Sequence, residues 1–150
     1  MYELLILIIV LSYLFRNTIK GMFGEFRFKK KIGWWLNDYH RLITNAYFKT
    51  GFGTTQVDQI LLTEKGIIVI EVKNYAMVEV FGTDRAKVWS VKYPNGKMFK
   101  PKNPLHQNYG HVKAIEKILG FSKNIISLVV FSNKVKFVKK MPFNVINEKD

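Results

Sequence analysis

Asp58 in one apolar run, and Glu71-Val72-Lys73 at the end of the next, are the residues whose types and spacing could do chemistry in this chain. Side chains alternate along an extended strand, so Glu71 and Lys73 share a face while Val72 points into the opposite layer. The lead-in, Gly66-Ile67-Ile68-Val69-Ile70, is apolar and β-branched, and a carboxylate buried beside it is costly unless it is paired or holds a metal. Two carboxylates and a lysine at strand ends are what a divalent cation needs to act on a phosphodiester. Asp58 and Glu71 would supply oxygen ligands, with the Val72 carbonyl as a further one. Lys73 would orient the attacking water or stabilise charge on the phosphate. The same charges could instead form a structural ion-pair network at a sheet end.

These residues need elements to position them. Residues 42–48 and 56–62 read as strands joined by a turn at Gly51-Phe52-Gly53, and the second places Asp58, Ile60 and Leu62 on one face. Thr63-Glu64-Lys65-Gly66 then turns the chain into the 67–73 strand, so the short connections predict an antiparallel meander. Ahead of it, 21–36 reads as a helix whose stripe joins Gly21, Glu25, Phe28, Ile32 and Trp35. Glu25 on that stripe is either a surface acid pairing with Lys29 or a further carboxylate leaning toward the site. Trp34 and Trp35 read as core or membrane-interface aromatics.

Strand-like pieces follow at 78–81 and 87–91, with Trp89 as a sheet anchor, and 92–102 is a hairpin or loop. Asn103-Pro104 opens the clearest helix and Gly120 stops it. Leu105, Tyr109, Val112, Ile115 and Leu119 form its apolar stripe. Gln107, His111 and Ala114 lie on an adjacent face, from which Gln107 could reach Lys73 or a phosphate. His106 and His111 read as capping or surface groups. Residues 125–131 form another buried strand and 135–138 a short one.

Composition bounds the chemistry. With 150 residues and 48% hydrophobic content, the chain fits one domain with a real core. Lys and Arg number 24 against 11 Asp and Glu, a net charge of +13, which favours polyanions: nucleic acid or an anionic membrane surface. The absence of cysteine excludes disulfides and thiolate zinc sites, and three histidines leave little for an imidazole-rich centre. A carboxylate site for Mg²⁺ or Mn²⁺ remains.

Residues 2–15 are apolar apart from Glu3 and Ser12 and precede Arg16 and Lys20. The run is shorter than the roughly 20 residues that span a bilayer. A membrane anchor, a docked helix and a cleaved signal peptide all stay open, although Glu3 replaces a basic leader. An anchor would put the body, residues 21–150 after the 1–20 segment, on the cytoplasmic side.

Several blocks in order carry a family resemblance: Gly24-Glu25, Gln56-Val57-Asp58-Gln59-Ile60, Gly66-Ile67 leading to Glu71-Val72-Lys73-Asn74-Tyr75, Trp89, Asn103-Pro104-Leu105-His106-Gln107-Asn108 and a late Val-Val-Phe strand. Together they resemble the nuclease-related domain, NERD, from Gly21 to about Phe131. That family is similar to the PD-(D/E)XK restriction-endonuclease-like phosphodiesterases, although Val57 stands where a proline often precedes the motif aspartate. The resemblance implies an α/β fold with an αβββαβ core, a mixed central sheet flanked by helices. It also implies an acid on the first helix (Glu25), an Asp on the second strand (Asp58) and Glu-x-Lys on the third (Glu71, Lys73).

The resulting expectation is a Mg²⁺- or Mn²⁺-dependent nuclease acting on DNA at the cytoplasmic face of a membrane, or soluble in the cytoplasm. Asp58, Glu71, Val72 and Glu25 would bind metal, with Lys73 and Gln107 assisting. The alternatives are a non-catalytic basic nucleic-acid-binding module and a membrane-associated scaffold meeting anionic lipid.

Overall fold

A computed structural model describes residues 26–27, 29–33, 36–51, 53–75, 77–132 and 135–148. The apolar segment 2–15, Glu25, Phe28, Trp34 and Trp35 lie outside the described residues. The described part of 26–33 is helical.

The meander expected from the short turns is present. Strands β1 (Arg41–Thr50), β2 (Gly53–Thr63) and β3 (Gly66–Asn74) pair antiparallel. The turn into β3 leaves no room for a side chain: Gly66 sits at φ 143, where a Cβ would lie 2.2 Å from the Asn124 carbonyl oxygen. Two further strands complete a five-stranded mixed sheet in the order β1-β2-β3-β7-β9, with β7 (Ile125–Ser132) parallel to β3 and β9 (Val145–Asn147) parallel to β7.

A second sheet, ordered β6-β5-β4-β8, takes β4 (Val78–Phe81), β5 (Ser90–Lys92) and β6 (Met98–Phe99) from the chain between β3 and β7, and β8 (Val135–Phe137) from the chain after β7. The sequence suggested the 78–81 strand, the 92–102 hairpin and the 135–138 strand, but neither this second sheet nor β9. Expected at 87–91, the strand begins at Ser90, and Val88 makes only an isolated bridge to Lys102. Trp89 is the anchor its size suggested. It is buried, stacks on Phe131 at 6.0 Å, and lies so close on Gly82 that a Cβ there would meet its ring at 2.2 Å.

Helix α1 (Pro104–Leu119) packs on β3 and β7. Its start matches the capping chemistry: Asn103 is extended, accepts from the Leu105 N–H at 2.9 Å, and precedes proline. At the other end Gly120 takes the left-handed conformation. Asn103 does more than cap. Its fully buried amide donates to the carbonyls of Ala86 at 2.7 Å and of Thr83 and Asp84 at 3.2 Å, tying the helix start to the loop below Trp89.

The phase of α1 differs from the apolar stripe. Leu105, Val112 and Ile115 are buried, but Tyr109 is 60% and Leu119 42% exposed, while Asn108 and His111 turn inward. Asn108 is accepted there because its amide donates to the Val69 and Leu128 carbonyls and to the Ser127 hydroxyl, which ties α1 across β3 and β7. On the other face of the large sheet, Ile70, Val72 and Val130 form a separate cluster against which Ile32 packs. Helical structure therefore covers both faces of the mixed sheet.

Candidate active site

The site grows from an interruption in the meander. The β2–β3 ladder runs from Thr63 and Gly66 to Gln59 and Ile70 and stops; the next pair in register would be Asp58 and Glu71. The β1–β2 ladder skips the same position, where Asn45 adopts φ 54. Beyond it β2 continues paired to β1 alone. Val57 and Ile60, three residues apart, fall in one cluster with Val112 and Ile115 of α1, so β2 is not a regular strand through Asp58. The expectation that Asp58 simply shares a face with Ile60 and Leu62 is therefore corrected.

With the ladder broken, the Val72 N–H lacks a backbone partner on β2, and Asp58 replaces it: the N–H donates to Oδ2 at 2.9 Å. Val72 keeps its side chain in the opposite cluster, as alternation requires. Asp58 is thereby fixed one peptide away from Glu71.

Glu71 is only 2% exposed, near the end of the central strand and on the face that α1 covers. Lys73 Nζ lies 2.6 Å from its Oε1, and Gln107 Oε1, from the first turns of α1, accepts from the same Nζ at 3.1 Å. The second carboxylate oxygen, Oε2, is 3.1 Å from His111 Nε2. His111 Nδ1 in turn is 2.9 Å from the Thr55 hydroxyl on β2. The tautomer protonated on Nε2 satisfies both contacts, with Nε2–H donating to the carboxylate and Nδ1 accepting from Thr55. Burial pushes the Glu71 carboxyl up, but the His111 hydrogen bond and the charge of Lys73 outweigh it and hold it below the ordinary carboxylate range. Glu71 is a buried anion kept charged by its neighbours.

Asp58, Glu71, Val72, Lys73 and Gln107 thus come together, while Glu25 lies outside the described residues. His106 sits at the surface, as the sequence suggested, with its ring 2.9 Å from the carbonyl of Asp84 in a loop. His111 corrects the reading as a surface group. Its position four residues after Gln107, on the same helical face, was the available signal.

Among the described residues no three His, Asp or Glu side chains cluster as a metal cage. Asp58 on β2 and Glu71 on β3 offer carboxylate oxygens, the kind of donor that a hard cation takes. Among the described residues no helix is long and apolar enough to cross a membrane.

An uncharacterized protein of Bacillus anthracis is 33% identical over 120 residues, covering 77% of this chain and 54% of the relative. The chain thus spans about half of that relative's length. The crystal structure of a protein of unknown function, AF1548, aligns with a TM-score of 0.43 and 14% identity over 81% of this chain and 50% of that one. Residues 20–132 match the nuclease-related domain, and the chain belongs to that family, NERD.

Proposed function

We propose that this chain is a metal-dependent nuclease that hydrolyses DNA, with a restriction-endonuclease-like core. The observation that carries the reading is Glu71. An anion is held charged at the end of the central strand, a lysine contacts one of its oxygens, and an aspartate is pinned to the adjoining peptide. The element order supports it: helical residues, three antiparallel strands, then α1 and a parallel strand.

Asp58, Glu71 and the Val72 carbonyl would hold Mg²⁺ or Mn²⁺, and Glu25 remains a candidate for the same shell. The cation, when bound, supplies charge neutralisation at the phosphate and lowers the pKa of a water. The chain's own part is positioning. Lys73, 19% exposed at its side chain, presents a cation at the mouth of the site for the phosphate charge that builds during displacement. Gln107 holds that ammonium from the helix side, and His111 fixes the rotamer of Glu71 from below. The net charge of +13 supports a polyanionic substrate. Tethering to the cytoplasmic face of a membrane through residues 2–15 belongs to the same proposal.

A non-catalytic nucleic-acid-binding module is the rival reading, favoured by the fact that both Glu71 oxygens already have protein partners. Incubation of the purified chain with plasmid DNA and Mn²⁺ separates the two. The proposal expects cleavage that stops with EDTA and is lost in Glu71→Ala/Lys73→Ala. Equal cleavage by this variant would show that the site is elsewhere, and intact DNA with all proteins would leave the binding module.

A further inference from the structure

The hairpin formed by β5 and β6 has a composition that the site chemistry does not use. Residues 85–102 carry six cations (Arg85, Lys87, Lys92, Lys97, Lys100 and Lys102) and no Asp or Glu. Among the described residues none of the six takes part in a salt bridge. Interleaved with them are four apolar side chains left in water: Val88 at 50% exposure ahead of the hairpin and, on it, Tyr93 at 37%, Met98 at 58% and Phe99 at 48%. A single exposed aromatic is ordinary, but three apolar groups and several unpaired lysines on one short hairpin are a concentrated surface.

The hairpin is held rigidly. Tyr93 N–H donates to the Lys97 carbonyl at 2.9 Å and Gly96 N–H to the Tyr93 carbonyl at 3.0 Å, with Gly96 at φ 80 closing the turn. At its base the Trp89 N–H donates to the Pro101 carbonyl at 2.9 Å, and Trp89 is buried in the core. The main chain that carries the exposed side chains is therefore set before binding, which lowers the ordering cost.

The two aromatics share one face of the small sheet. Phe99 lies opposite Val91, which is buried, and Tyr93 is two residues beyond Val91, so alternation puts both aromatics on the core side of the small sheet, at its edge. After Lys102 the chain runs directly into Asn103 and the helix that carries Gln107.

We infer that the β5–β6 hairpin is a binding platform for an unpaired nucleic-acid strand, its bases stacking on Tyr93 and Phe99 and its phosphates meeting Lys97, Lys100 and Lys102. The inference rests on the nucleic-acid reading of the neighbouring site but not on turnover. Stacking on exposed aromatics requires bases whose faces are free, which selects a single strand over an intact duplex. Lysines on the same hairpin supply the sequence-independent attraction.

The test is anisotropy of a labelled oligo-dT of roughly 20 nucleotides, and of a duplex of the same length, titrated with the full-length chain in EDTA. Tyr93→Ala/Phe99→Ala is expected to bind the single strand at least about thirtyfold more weakly, at about 1 kcal/mol or more per lost stack, and the duplex almost unchanged. Lys97→Gln/Lys100→Gln/Lys102→Gln is expected to flatten the log Kd against log salt slope by about 2, at about 0.7 per lost phosphate contact. Phe99→Trp should keep the affinity and show indole quenching on binding, which separates loss of stacking from misfolding.

Wild-type single-strand affinity in both multiple variants overturns the inference, as does equal weakening toward duplex and single strand in the aromatic variant. If the chain cleaves DNA and the hairpin variants bind normally, the hairpin reading falls alone. Where they lose binding and nothing cleaves, the nuclease reading falls and the platform stands.

Discussion

His111 and Glu71 form a pair whose strength can be worked out from their burial. Their side chains are 6% and 2% exposed and meet at 3.1 Å. Removing the donor of a hydrogen bond to a buried charged group costs about 1.5–3 kcal/mol. Because both groups are buried, His111→Leu falls at the upper end, about 3 kcal/mol, even though Lys73 stays on Oε1. Glu71→Leu leaves the Nε2–H of His111 without its acceptor, at about 2 kcal/mol. Both changes together remove the anion along with its donor and fill the space with apolar groups, so the double variant should lose only about 2 kcal/mol rather than the sum. The coupling is then about 3 kcal/mol. Urea unfolding of the four proteins in EDTA, followed by far-UV circular dichroism, measures it. Single losses that add to within about 0.5 kcal/mol would refute the reasoning, because they would mean that His111 only fills space beside a carboxylate held by Lys73.

Two further outcomes follow from the same geometry. Glu71 has a folded-state pKa below its ordinary value, so its contribution to stability is complete above about pH 4.5 and is lost as pH falls through the lowered value; Glu71→Gln should flatten this acid limb, and an unchanged pH–stability profile would contradict the assignment. Asn103→Asp keeps the helix cap but turns a buried carboxylate onto the carbonyls of Thr83, Asp84 and Ala86, so it should destabilise by about 3 kcal/mol or more, whereas a position that only capped would accept Asp freely; a urea midpoint equal to wild type would show that the amide contacts contribute nothing.

The parts legible in the sequence were those decided within a few residues. Asn103, Pro104 and Gly120 mark α1 because capping, a ready-set φ and a left-handed residue are local requirements. Glu71 and Lys73 fall on one face because a strand alternates. The phase of α1 was not local. Asn108 and His111 turn inward because backbone carbonyls of β3 and β7, and the Glu71 carboxylate, wait for donors there; an apolar stripe read along one helix carries no record of partners on other strands. The second sheet and β9 were hidden for a related reason. The pairings of β4 with β8 and of β7 with β9 are parallel and distant in sequence, and the strands involved are three or four residues long apart from β7.

The interruption at Asp58 is the least legible feature and the one on which the site depends. A continued ladder would set Asp58 directly opposite Glu71, where like charges across two strands destabilise the pair. Ending the ladder after Gln59 and Ile70 avoids that opposition and leaves one backbone N–H, that of Val72, in need of an acceptor. Asp58 supplies it through a single oxygen at 2.9 Å. Sheet pairing that fails at one register position therefore brings two acids to one strand end without setting them face to face. The cost of the two carboxylates is offset by a peptide N–H at Asp58 and by a lysine and a histidine at Glu71. A cation bound between the two acids would strengthen the same balance, because its charge acts on both at once.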